Sequence, residues 1–470
     1  MIEVPEDTTL VVGLGVSGTA IARYLTRLGR PFMMADTRSV PPGLAAFQKA
    51  YPQVAVHCGP LTELNLCKAR EVVLSPGVDP RTPGLEGLAE SLNPVTGEPR
   101  LVGEIALFRR ALNKRANPGR VAAITGSNAK STVTTLLGDM ARNAGIDVAV
   151  GGNLGTPALD LLHEYSQSAL FVLELSSFQL EMTPRLEADS VAFLNLSEDH
   201  LDRHGSLDAY RRAKSSIFRG AGHAVVNVEE PLTWPDDPAL SADEFTTQPP
   251  LGRQWGIGEP VPGQGAWLMH GDEALLACSR VKLKGRHHQA NALAALAMGH
   301  QLGLPMKAML EVLERFEGLP HRCEVIVEVD GVSWINDSKG TNVGATLAAI
   351  NGLGPTLTGK LILLAGGQGK GADFSPLGEP LSRYARRVLT FGIDGPRLAD
   401  AVRKQVSVSE FAGMNEALEQ ARRIVEPGDC VLLSPACASL DQFPSYIARG
   451  ETFRRWVLEQ VSGQIEESNS

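Results

Sequence analysis

One stretch near residue 125 constrains the fold of this 470-residue chain more than any other. The apolar residues 121–124 are typical of a buried strand, and the periodic apolar residues after Lys130 predict a helix. Between them, residues 125–129 form a loop of small and polar residues. Such a loop directs backbone N–H groups and the positive end of a helix toward one point, where Lys130, Ser131 and Thr132 can bind a polyphosphate with Mg²⁺. The stretch therefore predicts a phosphate site.

This loop departs from the standard Walker A pattern, which has four residues between its glycines and a glycine before its lysine. The interval from Gly126 to Lys130 is shorter, and Ala129 precedes the lysine. A turn of Gly126, Ser127 and Asn128 that only caps a helix is the structural alternative.

Composition excludes some classes of function. The net charge of −9 argues against a broad basic surface for nucleic acid, although a local cationic pocket for small anions remains compatible. We find no run of 18 apolar residues and no charged-then-apolar leader, so we expect no membrane span and a cytoplasmic location. The six cysteines form no CxxC pair and no His/Cys cluster of metal-binding spacing, which predicts reduced, packed thiols.

The first hundred residues alternate between strand and helix patterns. A G-x-G-x-x-G turn at residues 13–18 follows an apolar strand, and Asp36 lies 18 residues after its last glycine. The turn lets a ligand phosphate approach the backbone, which suits a dinucleotide or a nucleotide-sugar diphosphate. The turn at residues 75–77 either belongs to the same binding edge or is an ordinary turn.

Three further residues are candidates for chemistry in the central part of the chain. Glu174 ends an apolar strand, as the metal-binding acid of a Walker B pattern does, although a strand-end glutamate can be purely structural. His200 lies in a polar cluster after the next strand and could bind a metal or only a loop backbone. The charge pattern around Lys214 indicates a solvated helix face, so charge alone gives it little weight.

The pattern of strands and loops predicts an α/β fold with three domains, at residues 1–97, 98–318 and 319–470. Residues 92–99 are a plausible linker, and residues 231–271 are irregular and predict little. In the third domain each strand leads into a polar or glycine-rich loop, and Lys339 and Lys370 in two of these loops indicate anion binding.

Several motifs in this order closely resemble those of the Mur ligases, and the resemblance covers almost the whole chain. The motifs are ITGSNAKST at residues 124–132, LELSSFQLE at 173–181, EDH at 198–200, LPHR at 319–322, NDSK at 336–339 and LSPACASLDQF at 433–443.

The resemblance implies a Rossmann-like N-terminal domain for a UDP-sugar, a central P-loop-type ATPase domain with a mostly parallel sheet, and a Rossmann-like C-terminal domain for the incoming amino acid. It implies a monomeric, ATP-dependent amide ligase that adds D-glutamate to UDP-N-acetylmuramoyl-L-alanine through an acyl phosphate, in peptidoglycan precursor synthesis. Alternatives are a sister ligase for L-glutamate or another amino acid, a folylpolyglutamate-synthase-like ligase, a nicotinamide-dependent oxidoreductase and a non-catalytic nucleotide-binding scaffold.

The resemblance also implies roles for individual residues. Lys130, His200 and Lys214 would be catalytic, two Mg²⁺ ions would be bound by Ser131, Glu174, His200 and Lys214, and Lys214 would carry a carbamate. ATP would contact Gly126, Ser127, Asn128, Ala129, Lys130, Ser131, Thr132, Asn291, Arg322, Asp337 and Lys339. The UDP-sugar would contact Val16, Ser17, Asp36, Thr37, Arg38, Gly77, Asn153, Ser176 and Gln179. The amino acid would contact His321, Thr341, Lys370, Ser439, Leu440 and Tyr446.

Two residues depart from the family pattern. Ala129 stands where glycine is usual, so either the backbone there is not left-handed or it carries strain on the order of 1 kcal/mol. Gly340 stands where alanine is commoner, which could loosen the loop after Lys339. Neither departure removes a functional group.

Overall fold

The computed structural model describes residues 1–93, 96–165, 170–283 and 285–462. Residues 94 and 95 of the predicted linker and residues 463–470 of the predicted third domain lie outside that description. The described chain forms three α/β units in succession, each built on a mostly or wholly parallel sheet, so the predicted fold class is confirmed.

The first unit is a parallel sheet in the order β4-β3-β2-β6-β7, with β1 and β5 paired separately. Its elements are β1 (Ile2–Glu3), β2 (Thr9–Val12), β3 (Phe32–Asp36), β4 (Val56–Cys58), β5 (Leu64–Asn65), β6 (Glu71–Leu74), β7 (Leu101–Gly103), α1 (Val16–Arg27), α2 (Leu44–Ala50) and α3 (Glu104–Leu112). The sheet extends to Gly103 and is followed by α3, so the unit continues past the predicted boundary at residue 97. The sequence did not reveal β7 because three residues give too short a pattern.

The central unit has the sheet order β16-β15-β14-β13-β12-β11-β8-β10-β9, parallel from β9 to β14 and antiparallel from β14 to β16. Its strands are β8 (Arg120–Thr125), β9 (Val148–Gly152), β10 (Leu170–Glu174), β11 (Ser190–Phe193), β12 (Ala224–Asn227), β13 (Ala242–Phe245), β14 (Trp255–Gly258), β15 (Trp267–His270) and β16 (Glu273–Ala277). Its helices are α4 (Lys130–Asn143), α5 (Ala158–Glu164), α6 (Ser177–Glu181), α7 (Leu201–His204), α8 (Leu207–Ser215), α9 (Arg286–Gln301) and α10 (Met306–Arg315).

The third unit has the order β17-β18-β22-β19-β20-β21, in which only the β17–β18 pair is antiparallel. Its elements are β17 (Glu324–Val329), β18 (Val332–Asn336), β19 (Leu361–Gly366), β20 (Ala385–Phe391), β21 (Val408–Glu410), β22 (Cys430–Leu433), α11 (Val343–Leu353), α12 (Gly378–Tyr384), α13 (Gly395–Val402), α14 (Met414–Ile424) and α15 (Tyr446–Val457). Short 3₁₀ turns span Leu61–Glu63, Ser216–Phe218, Pro231–Thr233, Gly354–Thr356 and Ser375–Leu377, and a π-helical turn spans Leu458–Ser462.

The expectation that residues 231–271 are irregular is wrong for part of that segment. Strands β13, β14 and β15 lie within it and extend the central sheet. Each has only four residues, and β13 buries only Phe245, so the segment lacks the apolar repeat that reveals longer strands.

Burial explains why the site-bearing strands form. β8 and β10 are continuous apolar runs, as expected for parallel strands covered by helices on both faces. They are neighbours, so the loops that follow them leave the same edge of the sheet. The first and central units also share one hydrophobic core, in which the rings of Phe108 and Phe171 lie 5.5 Å apart. In the part of the chain described, no helix has the length and apolar character needed to cross a membrane.

Candidate active site

The predicted phosphate loop joins β8 to α4. Residues that follow β11 hold the loop in place. The backbone N–H of Asn128 donates to the side-chain oxygen of Asn195 at 2.8 Å, and the Ser127 hydroxyl donates to the backbone carbonyl of Ser197 at 3.0 Å. Lys130 folds over the loop and donates to the carbonyls of Gly126 and Ser127, both at 2.8 Å. Burial lowers the pKa of Lys130, and nearby Glu174 opposes that change. The ammonium group thus lies where the phosphates of a nucleotide would meet the loop.

Ala129 takes the left-handed backbone conformation, with φ at 65°. Of the two possibilities stated for Ala129, a backbone that is not left-handed or one that carries strain, the structure therefore has the second. A side chain in this conformation costs on the order of 1 kcal/mol relative to glycine, so the loop stores strain where it enters α4.

Glu174 lies directly beside the phosphate loop. Ser131 donates a hydrogen bond to one of its carboxylate oxygens, and Asn153 donates to the other at 2.7 Å. Burial on its own raises the pKa of Glu174, but the Lys130 charge and these two donors outweigh it and lower the pKa below its usual value. The carboxylate is therefore ionised, and with the Ser131 hydroxyl it forms the oxygen donor set that Mg²⁺ prefers.

His200 and Lys214 approach the same loop from the other side. His200 has a left-handed backbone, and its Nε2 lies 3.6 Å from a carboxylate oxygen of Asp199. Burial lowers the pKa of His200, so its ring is neutral at pH 7 and can ligate a cation. Lys214 is fully buried and donates to the Gly126 carbonyl at 2.7 Å, contrary to the solvated face that charge pattern alone indicated. Burial, followed by the charge of Lys130, lowers the pKa of Lys214 far below its usual value.

The third unit contacts the phosphate loop directly. Arg322 donates to the Ser131 hydroxyl at 2.6 Å, and Asn342 exchanges amide hydrogen bonds of 3.2 and 3.3 Å with Asn128. Asn342 also donates to Asp199 at 3.1 Å. These contacts bring residues of the central unit and of the third unit, which meet in the chain near residue 319, into one site.

One cavity beside the loop is central, and three others each share lining residues with it. The central one, of about 260 Å³, is lined by residues that include Lys130, Glu174, His200 and Lys214. Beside it lies a cavity of about 330 Å³ with Thr132, Asn291 and Asp337 on its wall, and Asn128, Ala129, Arg322 and Lys339 line both. Burial is the main cause that lowers the pKa of Lys339 to about 8 and raises that of Asp337 to about 6.

The third cavity, of about 540 Å³, lies at the carboxyl ends of β2 and β6, where the strand order of the first sheet reverses. Asp36 shapes this edge by accepting from the Leu14 amide at 2.8 Å and by pairing through both oxygens with Arg38. Of the residues predicted to bind the UDP-sugar, seven line the cavity: Val16, Ser17, Asp36, Arg38, Gly77, Asn153 and Gln179. Thr37 is exposed beside it, and Ser176 lines the central cavity instead.

The fourth cavity is small, about 30 Å³, and connects His200 with Thr341 and Lys370. The other residues predicted to bind the amino acid line none of these four cavities. His321 is buried, with its ring centre 6.1 Å from that of Tyr446, and Ser439 is buried whereas Leu440 is exposed. Only two of the six therefore line one of these cavities, although Tyr446 also lies beside Lys339, whose Nζ is 4.0 Å from the ring centre.

Sequence reasoning missed Arg449, Asn342 and Asp199. Arg449 is fully buried and donates to the carbonyls of Ser338 and Cys437, at 2.8 and 3.1 Å, which ties the loop before Lys339 to the loop after β22. Arginine on a helix normally indicates an exposed face, so only its contacts reveal this positioning role.

The fold and the site define a nucleotide-dependent enzyme in which a third α/β unit contacts a phosphate loop. Comparison with protein-family models makes this more specific. The Mur ligase MurD-like N-terminal domain matches residues 7–97, the Mur ligase middle domain matches residues 124–299, and the Mur ligase glutamate ligase domain matches residues 321–437. The chain belongs to the Mur ligase family.

Curated relatives cover nearly the whole chain. A UDP-N-acetylmuramoylalanine–D-glutamate ligase of Chromohalobacter salexigens is 61% identical over 97% of this chain and 98% of its own length. A protein of the same name from Pseudomonas aeruginosa is 49% identical over 96% of this chain and 97% of its own. Among solved structures, the MurF ligase of Thermotoga maritima in complex with ADP has a TM-score of 0.58 and 17% identity, covering 93% of this chain and 96% of that one. That last likeness concerns the fold alone.

Proposed function

We propose that this chain is an ATP-dependent amide ligase that adds D-glutamate to UDP-N-acetylmuramoyl-L-alanine. One observation supports it above others: the central cavity shares walls with three separate cavities. Asn153 lines both the central cavity and the cavity of the first unit. Lys339 lines both the central cavity and the cavity of about 330 Å³, and Thr341 lines both the central cavity and the small one of about 30 Å³. A reaction that joins three substrates needs such a meeting point. The relatives named above carry the same activity in their names.

The proposal assigns one substrate to each unit. Residues 1–97 would bind the UDP-sugar, residues 98–318 would bind ATP, and residues 319–470 would bind the amino acid. Strand β7 lies within residues 98–318 but pairs with the first sheet. Because all four cavities lie within one chain, the proposed reaction needs no second copy, and we infer a monomer. We also propose a cytoplasmic location, as the resemblance to cytoplasmic peptidoglycan precursor synthesis implies.

The site fits Mg²⁺ because an ionised carboxylate and a hydroxyl, Glu174 and Ser131, already touch each other. We propose that they hold one ion and that His200, with Lys214 as a carbamate, holds a second. Mg²⁺ would neutralise charge on the phosphoryl oxygens. Burial and the charge of Lys130 lower the pKa of Lys214, which favours the neutral amine, the form that attacks CO₂: its nitrogen would form a bond to the carbon and release a proton to solvent.

Cationic side chains of the protein would neutralise the remaining negative charge of the phosphates. The substrate carboxylate attacks the γ-phosphorus of ATP, ADP leaves, and an acyl phosphate forms. The side chains of Lys130, Arg322 and Lys339 line the central cavity, where this negative charge would gather. The glutamate amine then attacks the acyl carbon and phosphate leaves. Lys370 and Thr341 would orient the amino acid for that step.

The test is phosphate release from Mg-ATP with UDP-N-acetylmuramoyl-L-alanine and either D-glutamate or L-glutamate in separate reactions. Release with D-glutamate alone is the expected result. Release with L-glutamate alone would keep the chemistry and change the substrate. No release with either would overturn the proposal in favour of a nucleotide-binding scaffold.

A further inference from the structure

The cavity of about 330 Å³ beside the central cavity is lined by three side chains that the proposed reaction does not use. Ligand atoms of His287, His288 and Cys323 all lie within 4.8 Å of one another, and all three residues line this cavity. The two histidines begin α9, with ring centres 4.0 Å apart, and Cys323 follows the junction into the third unit. Spacing gave no indication of a His/Cys cluster, because Cys323 lies 35 residues after His288 and only the tertiary fold joins them.

The imidazoles lack the partners that buried rings normally have. Both ring nitrogens of His287 and Nδ1 of His288 are shielded from solvent and make no hydrogen bond within the residues described. Buried polar side-chain atoms are satisfied in the large majority of cases, so three unpaired nitrogens on adjacent rings indicate a missing partner. A cation that accepts nitrogen lone pairs would satisfy two of them at once.

The protonation states suit metal binding. Burial lowers the pKa of His287 to about 4 and that of His288 well below its usual value, so both are neutral, which is the form that ligates metals. Burial, and then the charge of Asp337, raises the pKa of the Cys323 thiol, so without a cation the sulfur keeps its proton. Asp337 accepts from the Cys323 amide at 3.2 Å and is close enough to receive that proton.

We propose that His287, His288 and Cys323 form a binding site for a soft divalent cation such as Zn²⁺. One nitrogen of each imidazole forms a bond to the metal, the S–H bond breaks, sulfur binds as thiolate, and one proton is released without any change of oxidation state. Two nitrogens and one sulfur select Zn²⁺ over Mg²⁺, which prefers oxygen. Tetrahedral zinc places its ligand atoms roughly 3.5 Å apart, so the side chains need to close by about 1 Å.

The site shares its cavity with Asn291 and Asp337, two residues proposed for ATP. Bound zinc would therefore exclude the nucleotide, and this consequence rests on the proposed function. Because zinc binding itself needs no nucleotide, the two ideas can fail separately.

The experiment uses Co²⁺ as a spectroscopic probe of the full chain. We expect one Co²⁺ per chain, a near-ultraviolet charge-transfer band that reports a cobalt–thiolate bond, and displacement by Zn²⁺. Cys323→Ser should abolish the band and His288→Asn should weaken binding by roughly tenfold or more. The control is Cys67→Ser, because Cys67 is an exposed cysteine of the first unit and its loss should leave the band unchanged.

Absence of the band, or a band that persists in Cys323→Ser, would overturn the site. If that variant fails to fold, alkylation of Cys323 in the native chain gives the answer, because Zn²⁺ should slow it and equal rates would contradict the proposal. Zinc binding unchanged by saturating ATP would disprove the shared cavity. A chain that binds zinc at this site but shows no ligase activity when zinc-free would overturn the proposed function and leave the zinc site standing.

Discussion

Arg322 donates a hydrogen bond of 2.6 Å to the Ser131 hydroxyl, across 191 residues of sequence. Ser131 in turn donates to Glu174, so one chain of hydrogen bonds links the third unit to the candidate magnesium carboxylate. Whether the third unit covers the phosphate loop could not be inferred from sequence. In this structure it does, and Arg322 of the third unit lines the central cavity together with Lys130 of the phosphate loop.

Arg322→Ala should lower the rate of ATP-dependent amide formation by roughly a hundredfold or more, since it removes a half-buried cationic donor that lines the central cavity, where negative charge would develop. Phosphate release at saturating substrates measures this. Arg280→Ala is the matched control, because Arg280 is an exposed arginine of the central unit that pairs with Glu314. If both variants keep the parental rate, Arg322 has no part in the chemistry.

The sequence was most informative where function and local pattern coincide. The phosphate loop follows β8, Glu174 ends β10, and His200 lies in the loop after β11. Because the carboxyl ends of parallel strands share one edge of a sheet, local sequence predicted where they meet. Lys214 is the opposite case. A lysine among arginines on a helix indicates solvent, and only its burial beside the Gly126 carbonyl shows otherwise.

Contacts between distant segments could not be predicted from pattern. Arg449 tying Ser338 to Cys437, and His288 meeting Cys323, depend on how separate loops pack together, for which a single sequence has no periodic signal. Short strands such as β13 also escape detection because four residues hold too little alternation. The left-handed backbone of Ala129 was one of two stated possibilities, and only coordinates could choose between them.

Ala129→Gly should stabilise the central unit by about 1 kcal/mol, because glycine adopts the left-handed backbone without the clash that a Cβ causes. Thermal unfolding measures the gain. The matched control is Ala46→Gly, at an exposed position within α2, which should instead destabilise by about 1 kcal/mol. A loss of stability in Ala129→Gly would mean that the left-handed conformation carries no strain.

Glu104 should make stability depend on pH. It is buried at the start of α3, accepts from the Leu159 amide at 3.1 Å, and burial raises its pKa from 4.5 to about 7. The folded chain therefore holds this proton more tightly than the unfolded chain, so stability falls as pH rises from about 4.5 to about 7 and the full deficit persists above that. The deficit is at most about 3 kcal/mol.

Glu104→Gln resembles the protonated acid and should remove this deficit. At pH 8 the variant should unfold at a higher temperature than the parent, and at pH 4.5 the two should nearly coincide. Glu90→Gln, at an exposed glutamate of the first unit, is the control for loss of a charge. A difference between Glu104→Gln and the parent that does not vary with pH would exclude titration of Glu104 as the cause.

Lys214 should react with CO₂. Burial and the charge of Lys130 lower its pKa and so favour the neutral amine, and only a neutral amine attacks the carbon of CO₂. Carbon-13 NMR of the protein in labelled bicarbonate should show a carbamate signal that Lys214→Arg lacks. Lys404→Arg, at an exposed lysine of the third unit, should keep it. A signal that persists in Lys214→Arg would assign the adduct to another amine.

Asp36→Asn should weaken binding of the UDP-sugar more than it slows catalysis. Burial on its own raises the pKa of Asp36, but hydrogen bonds from the Arg38 side chain and from the Leu14 and Arg38 backbone amides outweigh it and lower the pKa. Asp36 is therefore ionised, and it holds both the glycine-rich turn and the Arg38 guanidinium in position. The variant loses the charge that orients Arg38 at a cavity separate from the γ-phosphate. We expect KM for the UDP-substrate to rise about tenfold with kcat nearly unchanged. Asp400→Asn, which disrupts an exposed pair with Arg403 in the third unit, should change neither constant. A fall in kcat without a rise in KM would move the role of Asp36 from binding to catalysis.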